Sequence, residues 1–128
     1  MIGIILVSHS DKITEGLKEM IDEMVGESPY VNVLSAGGTG DGRLGTNSLM
    51  ILEAIQQLEE ASDILIFGDI GSAILCAETA MDLIDDAALQ SKTFLIEAPL
   101  IEGAFTAAVQ ASASCTKEQI LQEMANIS

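Results

Sequence analysis

Short apolar runs of strand length alternate along the whole chain with segments whose apolar residues recur every three or four positions. The first pattern is typical of buried strands, and the second is typical of helices with one buried face. The runs predict strands at Ile2–Val7, Val31–Ser35, 63–69 and 92–98. The periodic segments predict helices that begin near residues 10, 46, 71, 101 and 116.

The same spacing predicts the helix ends and the buried helical residues. Helix 1 begins at Ser10 or Asp11 and ends at Gly26 and Pro29, residues that favour the start and the stop of a helix. Helix 2 runs from about Thr46 to Glu60. The residues predicted to be buried in helices 2 and 3 are Leu49, Leu52, Ile55, Leu58, Ile74, Ala77, Met81 and Ile84.

Strands that alternate with helices predict a mostly parallel sheet covered by helices on both faces. The chain of 128 residues suits a single domain over residues 1–128. Strand 2 is the least apolar of the four, which indicates an edge position. The predicted fold is therefore an α/β, flavodoxin-like doubly wound sheet with the strand order 2-1-3-4.

Charge and cysteine content exclude several classes of protein. The formal net charge is −15, with 5 basic and 20 acidic residues, so binding to nucleic acid or to an anionic membrane surface is disfavoured. No apolar run approaches a membrane span, and no basic region precedes the first run. With one histidine and no cysteine cluster, a metal site is not expected. These features predict a cytoplasmic protein.

The only histidine, His9, follows strand 1 directly, and Asp69 follows strand 3. In the predicted order these strands are neighbours at the topological switch point, where such sheets place their sites. We therefore expect both side chains to face one crevice beyond the carboxyl ends of the strands. The glycine-rich segment 36–46 borders the same edge.

An imidazole beside a carboxylate suits the transfer of a phosphoryl group. Its nitrogen is a free nucleophile near neutral pH, and the carboxylate orients the ring and stabilises positive charge on it. We predict His9 as the phosphoryl acceptor and Asp69 as the residue that orients it. Backbone amides at the starts of helices 1 and 3 would bind the phosphoryl oxygens. The residues predicted to bind the phosphoryl group are Ser8, Ser10, Thr39, Gly71 and Ser72.

Several of these residues have other interpretations. Ser72 is alternatively only the N-cap of helix 3. Segment 36–46 lacks the GK[ST] ending of a nucleotide-binding loop, and by composition it is typical of a mobile surface loop. Within it, Gly38 and Arg43 are predicted to contribute to partner docking, and Arg43 alternatively to hold an anion. The chain lacks residues that a flavodoxin phosphate loop, a response regulator or a histidine phosphatase would need.

Four segments carry a resemblance to a known family: "IILVSHSDKITEGL", "GRLGTNSLMILEAI", "FGDIGSAILCAETAMDLI" and "APLIEGAFTAAVQASA". Together they resemble the DhaM family, the phosphoryl-donor subunits of dihydroxyacetone kinases that depend on the phosphoenolpyruvate phosphotransferase system. More distantly the chain is similar to mannose-type enzyme IIA domains. The resemblance covers essentially the whole chain and implies that His9 is phosphorylated, with Asp69 as its acidic partner.

The resemblance also implies the partners. Phospho-HPr would donate the phosphoryl group, and ADP on the DhaL subunit would accept it, so that DhaK receives it only indirectly. ADP, ATP and Mg would belong to DhaL, and no cofactor is expected on this chain. The HPr-like and enzyme I-like domains fused to some relatives would be separate proteins. A homodimer is expected by resemblance, without the exchanged C-terminal strand of mannose-type domains.

Two other functions stay open from the sequence. One is an enzyme IIA component of a sugar permease, which would use the same histidine. The other is a non-catalytic regulatory domain of the same fold, with a small anion in the crevice. The segment "GDIGSAILCAETA" favours the kinase subunit.

Overall fold

The computed structural model describes residues 1–127 as an alternation of strands and helices. Its elements, in chain order, are β1 (Ile2–Val7), α1 (Asp11–Val25), β2 (Val31–Ser35), α2 (Ser48–Gln57), β3 (Asp63–Gly68), α3 (Gly71–Asp82), α4 (Ala87–Ser91), β4 (Thr93–Leu95), α5 (Leu100–Ser112) and α6 (Lys117–Met124).

The four strands form one parallel sheet in the order β2-β1-β3-β4. This confirms the predicted α/β fold and strand order, with β2 at an edge. Strands β1 and β3 lie in register, with Ile2 opposite Asp63 and Val7 opposite Gly68. Because the two strands end level with each other, the residues that follow them emerge side by side at one edge of the sheet.

Successive residues of β1 point to opposite faces of the sheet, and both faces are buried. Ile4 and Leu6 pack into a core with α1, α5 and α6. Ile5 and Val7 pack into a second core with α2, α3 and α4. Helices therefore cover both faces of the sheet, which explains why β1 is apolar throughout instead of alternating.

The buried face of α2 differs from the predicted one. Ile51, Ile55 and Leu58 are almost fully buried, whereas Leu49 is 64 % exposed, so the prediction for Leu49 was wrong. The reason is geometric: two residues along a helix turn the side chain by about 200°, so Leu49 and Ile51 cannot share a face. Asn47 caps the helix, because its side chain accepts hydrogen bonds from the amides of Leu49 and Met50.

Helix α3 packs through small residues. Its buried positions are Ala73, Ala77 and Ala80, while the predicted Ile74 and Met81 are only partly buried at the margins of this stripe. The N-cap of α3 is Ile70, so Ser72 lies inside the first turn and does not cap the helix. Its hydroxyl is thus available for another contact.

Two features near β4 were missed or misjudged from the sequence. Helix α4 has only five residues, too few to show a helical period, and Asp86 caps it by accepting from the amides of Ala88 and Leu89. Strand β4 is shorter than predicted. One further sheet bond, from the Ile96 amide to the Ile66 carbonyl, precedes the turn into α5.

Among residues 1–127, no helix has the length and the apolar character needed to cross a membrane.

Candidate functional site

His9 and Asp69 meet at the carboxyl ends of β1 and β3. His9 Nδ1 lies 3.3 Å from Asp69 Oδ1, and the backbone amide of His9 donates to Asp69 Oδ2 at 3.3 Å. The side chains are 27 % and 22 % exposed, respectively. The two residues are therefore shielded on one side and open to a partner on the other, as the register of β1 and β3 requires.

The Asp69 carboxylate is surrounded by hydrogen-bond donors. The Ser8 hydroxyl donates to Oδ2 at 2.7 Å, and the Ile70 amide donates to Oδ1 at 2.7 Å. Partial burial alone would raise the pKa of Asp69, but the bonds from Ser8, Ile70 and His9 outweigh it and hold the pKa below its ordinary value. Asp69 is therefore an anion at neutral pH, with its orientation set by four contacts.

This carboxylate selects the tautomer of His9. A carboxylate only accepts hydrogen bonds, so Nδ1 carries the proton that points to Asp69 and Nε2 keeps its lone pair. Nε2 contacts the hydroxyl of Ser72 in the first turn of α3, and this hydroxyl donates to it. The ring nitrogen with the lone pair is thus the one that faces α3.

The N-terminus of α3 can bind an anion beside Nε2. The amides of Gly71 and Ser72 have no acceptor within residues 1–127, as is usual for the first amides of a helix. No acidic side chain occupies the first turn of α3, whereas α1 carries Asp11 in its first turn. The helix dipole at α3 therefore favours a negative group, and no acidic side chain of its own first turn competes for the amides of Gly71 and Ser72.

The glycine-rich segment 36–46 holds the backbone around His9. The Gly38 amide donates to the Ser8 carbonyl at 3.0 Å, and the Gly45 amide donates to the His9 carbonyl at 2.7 Å. Both glycines have positive φ values, 77° and 134°, which other residues rarely adopt. The segment therefore positions the chain at His9 through its backbone.

The side chains of Thr39 and Arg43 make their contacts within this segment. The Thr39 hydroxyl donates to Asp41 Oδ1, and Arg43 Nη2 lies 2.8 Å from Asp41 Oδ2. The hydrogen bond from Arg43 is the main reason why the pKa of Asp41 is lowered. The structure thus brings Gly38 to the site through its amide, whereas Thr39 and Arg43 are paired with Asp41.

Ser8 and Ser10 differ in their surroundings. Ser8 is fully buried, and its hydroxyl oxygen accepts from the Ser10 amide at 3.1 Å. Ser10 is the N-cap of α1, but its own side chain makes no capping bond and is half-buried. The contact between Ser8 and Asp69 joins residues 61 positions apart, and no local sequence pattern would have revealed it.

Most of the basic side chains are occupied away from His9. Four of the five lysine and arginine residues bind other groups within residues 1–127: Lys18 binds Asp22, Arg43 binds Asp41, Lys92 binds the carbonyls of Glu59 and Ala61, and Lys117 binds Asp63. Amides and hydroxyls therefore remain the predicted donors for a phosphoryl group on His9.

A partly exposed histidine–aspartate pair thus lies at the switch point of a parallel sheet and faces a helix N-terminus. The sequence matches the family of PTS system fructose IIA components, EIIA-man, over residues 3–121, and the chain belongs to this family.

Within it, the chain belongs with the DhaM phosphoryl donor subunits. It is 61 % identical over 127 residues to that subunit of PEP-dependent dihydroxyacetone kinase 2 of Listeria innocua, covering 99 % of both chains. It is 34 % identical to a Lactococcus lactis DhaM, covering 95 % of this chain and 92 % of that one. A Providencia stuartii DhaM is 39 % identical, but this chain spans only 26 % of its length.

Solved structures agree with this fold. A crystal structure of a protein of unknown function is 42 % identical, with a TM-score of 0.90 over 99 % of this chain and 95 % of that one. An EIIA component from Streptococcus agalactiae has a TM-score of 0.62 at 16 % identity, over 98 % of this chain and 91 % of that one. The second likeness supports the fold alone.

Proposed function

We propose that this chain is the phosphoryl donor subunit of a PEP-dependent dihydroxyacetone kinase and carries the phosphoryl group on His9 Nε2. The observation that carries the proposal is the pairing of Nδ1 with Asp69, which leaves Nε2 facing the first amides of α3. The name and coverage of the Listeria innocua relative support the assignment to this kinase.

In the first transfer, the lone pair of Nε2 attacks the phosphorus of a phosphohistidine on HPr. The new N–P bond forms as the donor's N–P bond breaks, and the electron pair returns to the donor imidazole. Positive charge develops on the His9 ring, and Asp69 stabilises it through the Nδ1 proton. The chain thus gains the phosphoryl group while Nδ1 of His9 keeps the proton that it donates to Asp69.

In the second transfer, a terminal phosphate oxygen of ADP attacks the phosphorus on His9. The N–P bond breaks, its electron pair returns to Nε2, and ATP forms on the DhaL subunit. ADP, ATP and Mg²⁺ belong to DhaL in this proposal, and the phosphoryl group reaches DhaK only from the ATP on DhaL. Both transfers take place in the cytoplasm, and the chain acts as a homodimer.

The phosphoryl oxygens are bound by the amides of Gly71 and Ser72 and by the Ser72 hydroxyl, which turns from Nε2 to the new group. The half-buried Ser10 hydroxyl lies at the start of α1 and is a further donor. The Thr39 hydroxyl would be free to bind the group only after its hydrogen bond to Asp41 opens. Gly38 and Arg43 belong to the loop on which the partners dock.

The test is phosphorylation with purified components. The protein is incubated with phosphoenolpyruvate, enzyme I and HPr, and its intact mass is measured beside that of His9→Ala. We expect one acid-labile phosphoryl group on the wild type and none on the variant. A wild-type protein that gains no mass would refute the carrier function.

A second step separates the kinase subunit from a permease component. Adding DhaL with ADP to the isolated phosphoprotein should discharge it and produce ATP. A phosphoprotein that stays intact with DhaL–ADP would instead indicate an enzyme IIA component of a sugar permease.

A further inference from the structure

Ser8 lies next to His9, but its hydroxyl points away from the open side of the site. The residue is fully buried, and its carbonyl accepts from the Gly38 amide at 3.0 Å. The hydroxyl lies 2.7 Å from Asp69 Oδ2 and 3.1 Å from the Ser10 amide nitrogen. Its surroundings are therefore the carboxylate behind the imidazole and the first turn of α1.

A serine hydroxyl has one proton to donate and lone pairs that accept. Because the Asp69 carboxylate and the Ser10 amide fix which group donates, the Ser8 proton goes to Asp69 and a lone pair receives the Ser10 amide. No proton remains for a phosphoryl oxygen. A phosphoryl group on Nε2 would also lie beside Ser72, on the opposite side of the ring from Asp69.

Oδ2 of Asp69 depends on this hydroxyl. Its only other donor within residues 1–127 is the His9 amide, at the longer distance of 3.3 Å. Oδ1, by contrast, has the Ile70 amide at 2.7 Å as well as the imidazole. Removing the Ser8 hydroxyl would leave one carboxylate oxygen poorly satisfied in a shielded place and free the carboxylate to turn about its terminal bond.

We propose that Ser8 is a positioning residue that acts on phosphoryl transfer through Asp69 and is not a ligand of the phosphoryl group. It locks the carboxylate that orients His9 and links that carboxylate to the start of α1. This inference rests on the proposed carrier function of His9. Ser8, which the sequence predicted as a phosphoryl-binding residue, is thus a residue that positions Asp69.

The kinetic test is a double-mutant cycle of Ser8→Ala and Asp69→Asn, with single-turnover transfer from phospho-HPr as the readout. A lost hydrogen bond to a charged group predicts that Ser8→Ala lowers the maximum transfer rate about 10-fold. The HPr concentration at half-maximal rate should stay unchanged. In the Asp69→Asn background, Ser8→Ala should change the rate less than about 2-fold, because the charge that Ser8 holds in place behind His9 is already absent.

Ser62→Ala is the matched control. Its hydroxyl donates to the Met1 carbonyl at 3.0 Å, before β3 and at the opposite end of the sheet, and its removal should leave transfer unchanged. Full additivity of Ser8→Ala and Asp69→Asn, or a Ser8→Ala rate equal to the wild type, would overturn the proposal.

Titration of the Asp69 carboxyl group by NMR gives a readout that does not require transfer. Burial raises the pKa of this carboxyl and the Ser8 hydrogen bond is the leading effect that lowers it, so Ser8→Ala should raise it. If the Asp69 pKa is the same in both proteins, Ser8 does not act through Asp69. A wild type that cannot be phosphorylated would refute the carrier function while leaving this titration result standing.

A measurement on the wild type covers the case in which Ser8→Ala fails to fold. The buried Ser8 hydroxyl proton should exchange slowly with water and be visible by NMR. It should remain bonded to Asp69 after His9 is phosphorylated. Transfer of this hydrogen bond to the phosphoryl group, seen as a coupling to phosphorus, would make Ser8 a ligand and refute the proposal.

Discussion

Replacing Asp69 with asparagine tests how much the carboxylate charge contributes to transfer. The amide has nearly the same shape, and its oxygen can still accept from the Ile70 amide and from Nδ1 of His9, as Oδ1 does now. Its NH₂ group would replace Oδ2 and donate to Ser8, whose hydroxyl can rotate to accept, while the His9 amide loses its longer bond to Oδ2. The variant should therefore keep the fold and the ring orientation while losing the charge.

The magnitude follows from the distance between the two groups. At the observed 3.3 Å between Nδ1 and Oδ1, two unit charges attract by about 5 kcal/mol at a dielectric constant of about 20 and by about 1 kcal/mol in water. Because both side chains are about one-quarter exposed, an intermediate value of about 3 kcal/mol applies. This corresponds to a transfer rate about 100-fold lower.

Rapid-quench transfer from labelled phospho-HPr, at saturating donor, measures this rate directly. Asp63→Asn is the matched control, because Asp63 begins the same strand at the opposite end of the sheet and should leave transfer unchanged. If folded Asp69→Asn protein transfers at a rate within about 3-fold of the wild-type rate, the carboxylate charge does not drive the transfer.

Two further predictions concern stability. Burial raises the pKa of Asp63, and Lys117 offsets this only partly, so the stability that the protonated carboxyl contributes is lost as pH rises through the folded-state pKa. Asp63→Asn should therefore raise Tm at pH 7 but not in acid, where Asp63 is itself protonated. A lower Tm at pH 7 would contradict this. A Cβ on Gly37 would clash with the buried Thr14 Oγ1, whereas one on Gly16, within α1, would meet nothing within 4 Å. In urea unfolding, Gly37→Ala should cost about 1–3 kcal/mol, and Gly16→Ala should gain about 0.5–1 kcal/mol; equal effects would refute the tight packing at Gly37.

The positions of the helices were predictable where their period was long enough to read. Helix α1 shows the pattern over 15 residues and was placed correctly. Helix α4 has five residues and shows none. The buried face of α2 was misjudged at Leu49 because several leucines and isoleucines compete for one stripe, and only packing against the sheet decides among them.

The predicted site residues divide in a similar way. His9 and Asp69 were paired from the sequence because their strands were predicted to be neighbours, and parallel strands end at a common edge. Thr39 and Arg43 were grouped with them because their loop borders the same edge. Their side chains pair with Asp41, which the sequence did not predict, and their roles in phosphoryl binding and partner docking stay predictions.

The sequence by itself determined the fold class, the strand order and the edge of the sheet where His9 and Asp69 lie. These follow from hydrophobic periodicity and chain connectivity, which are local properties that a linear pattern records. Only the tertiary structure decided which hydrogen bonds form between residues far apart in the chain. The Ser8 hydroxyl could serve a phosphoryl group or a carboxylate equally well by its chemistry, and its distance to Asp69 assigns it to the carboxylate.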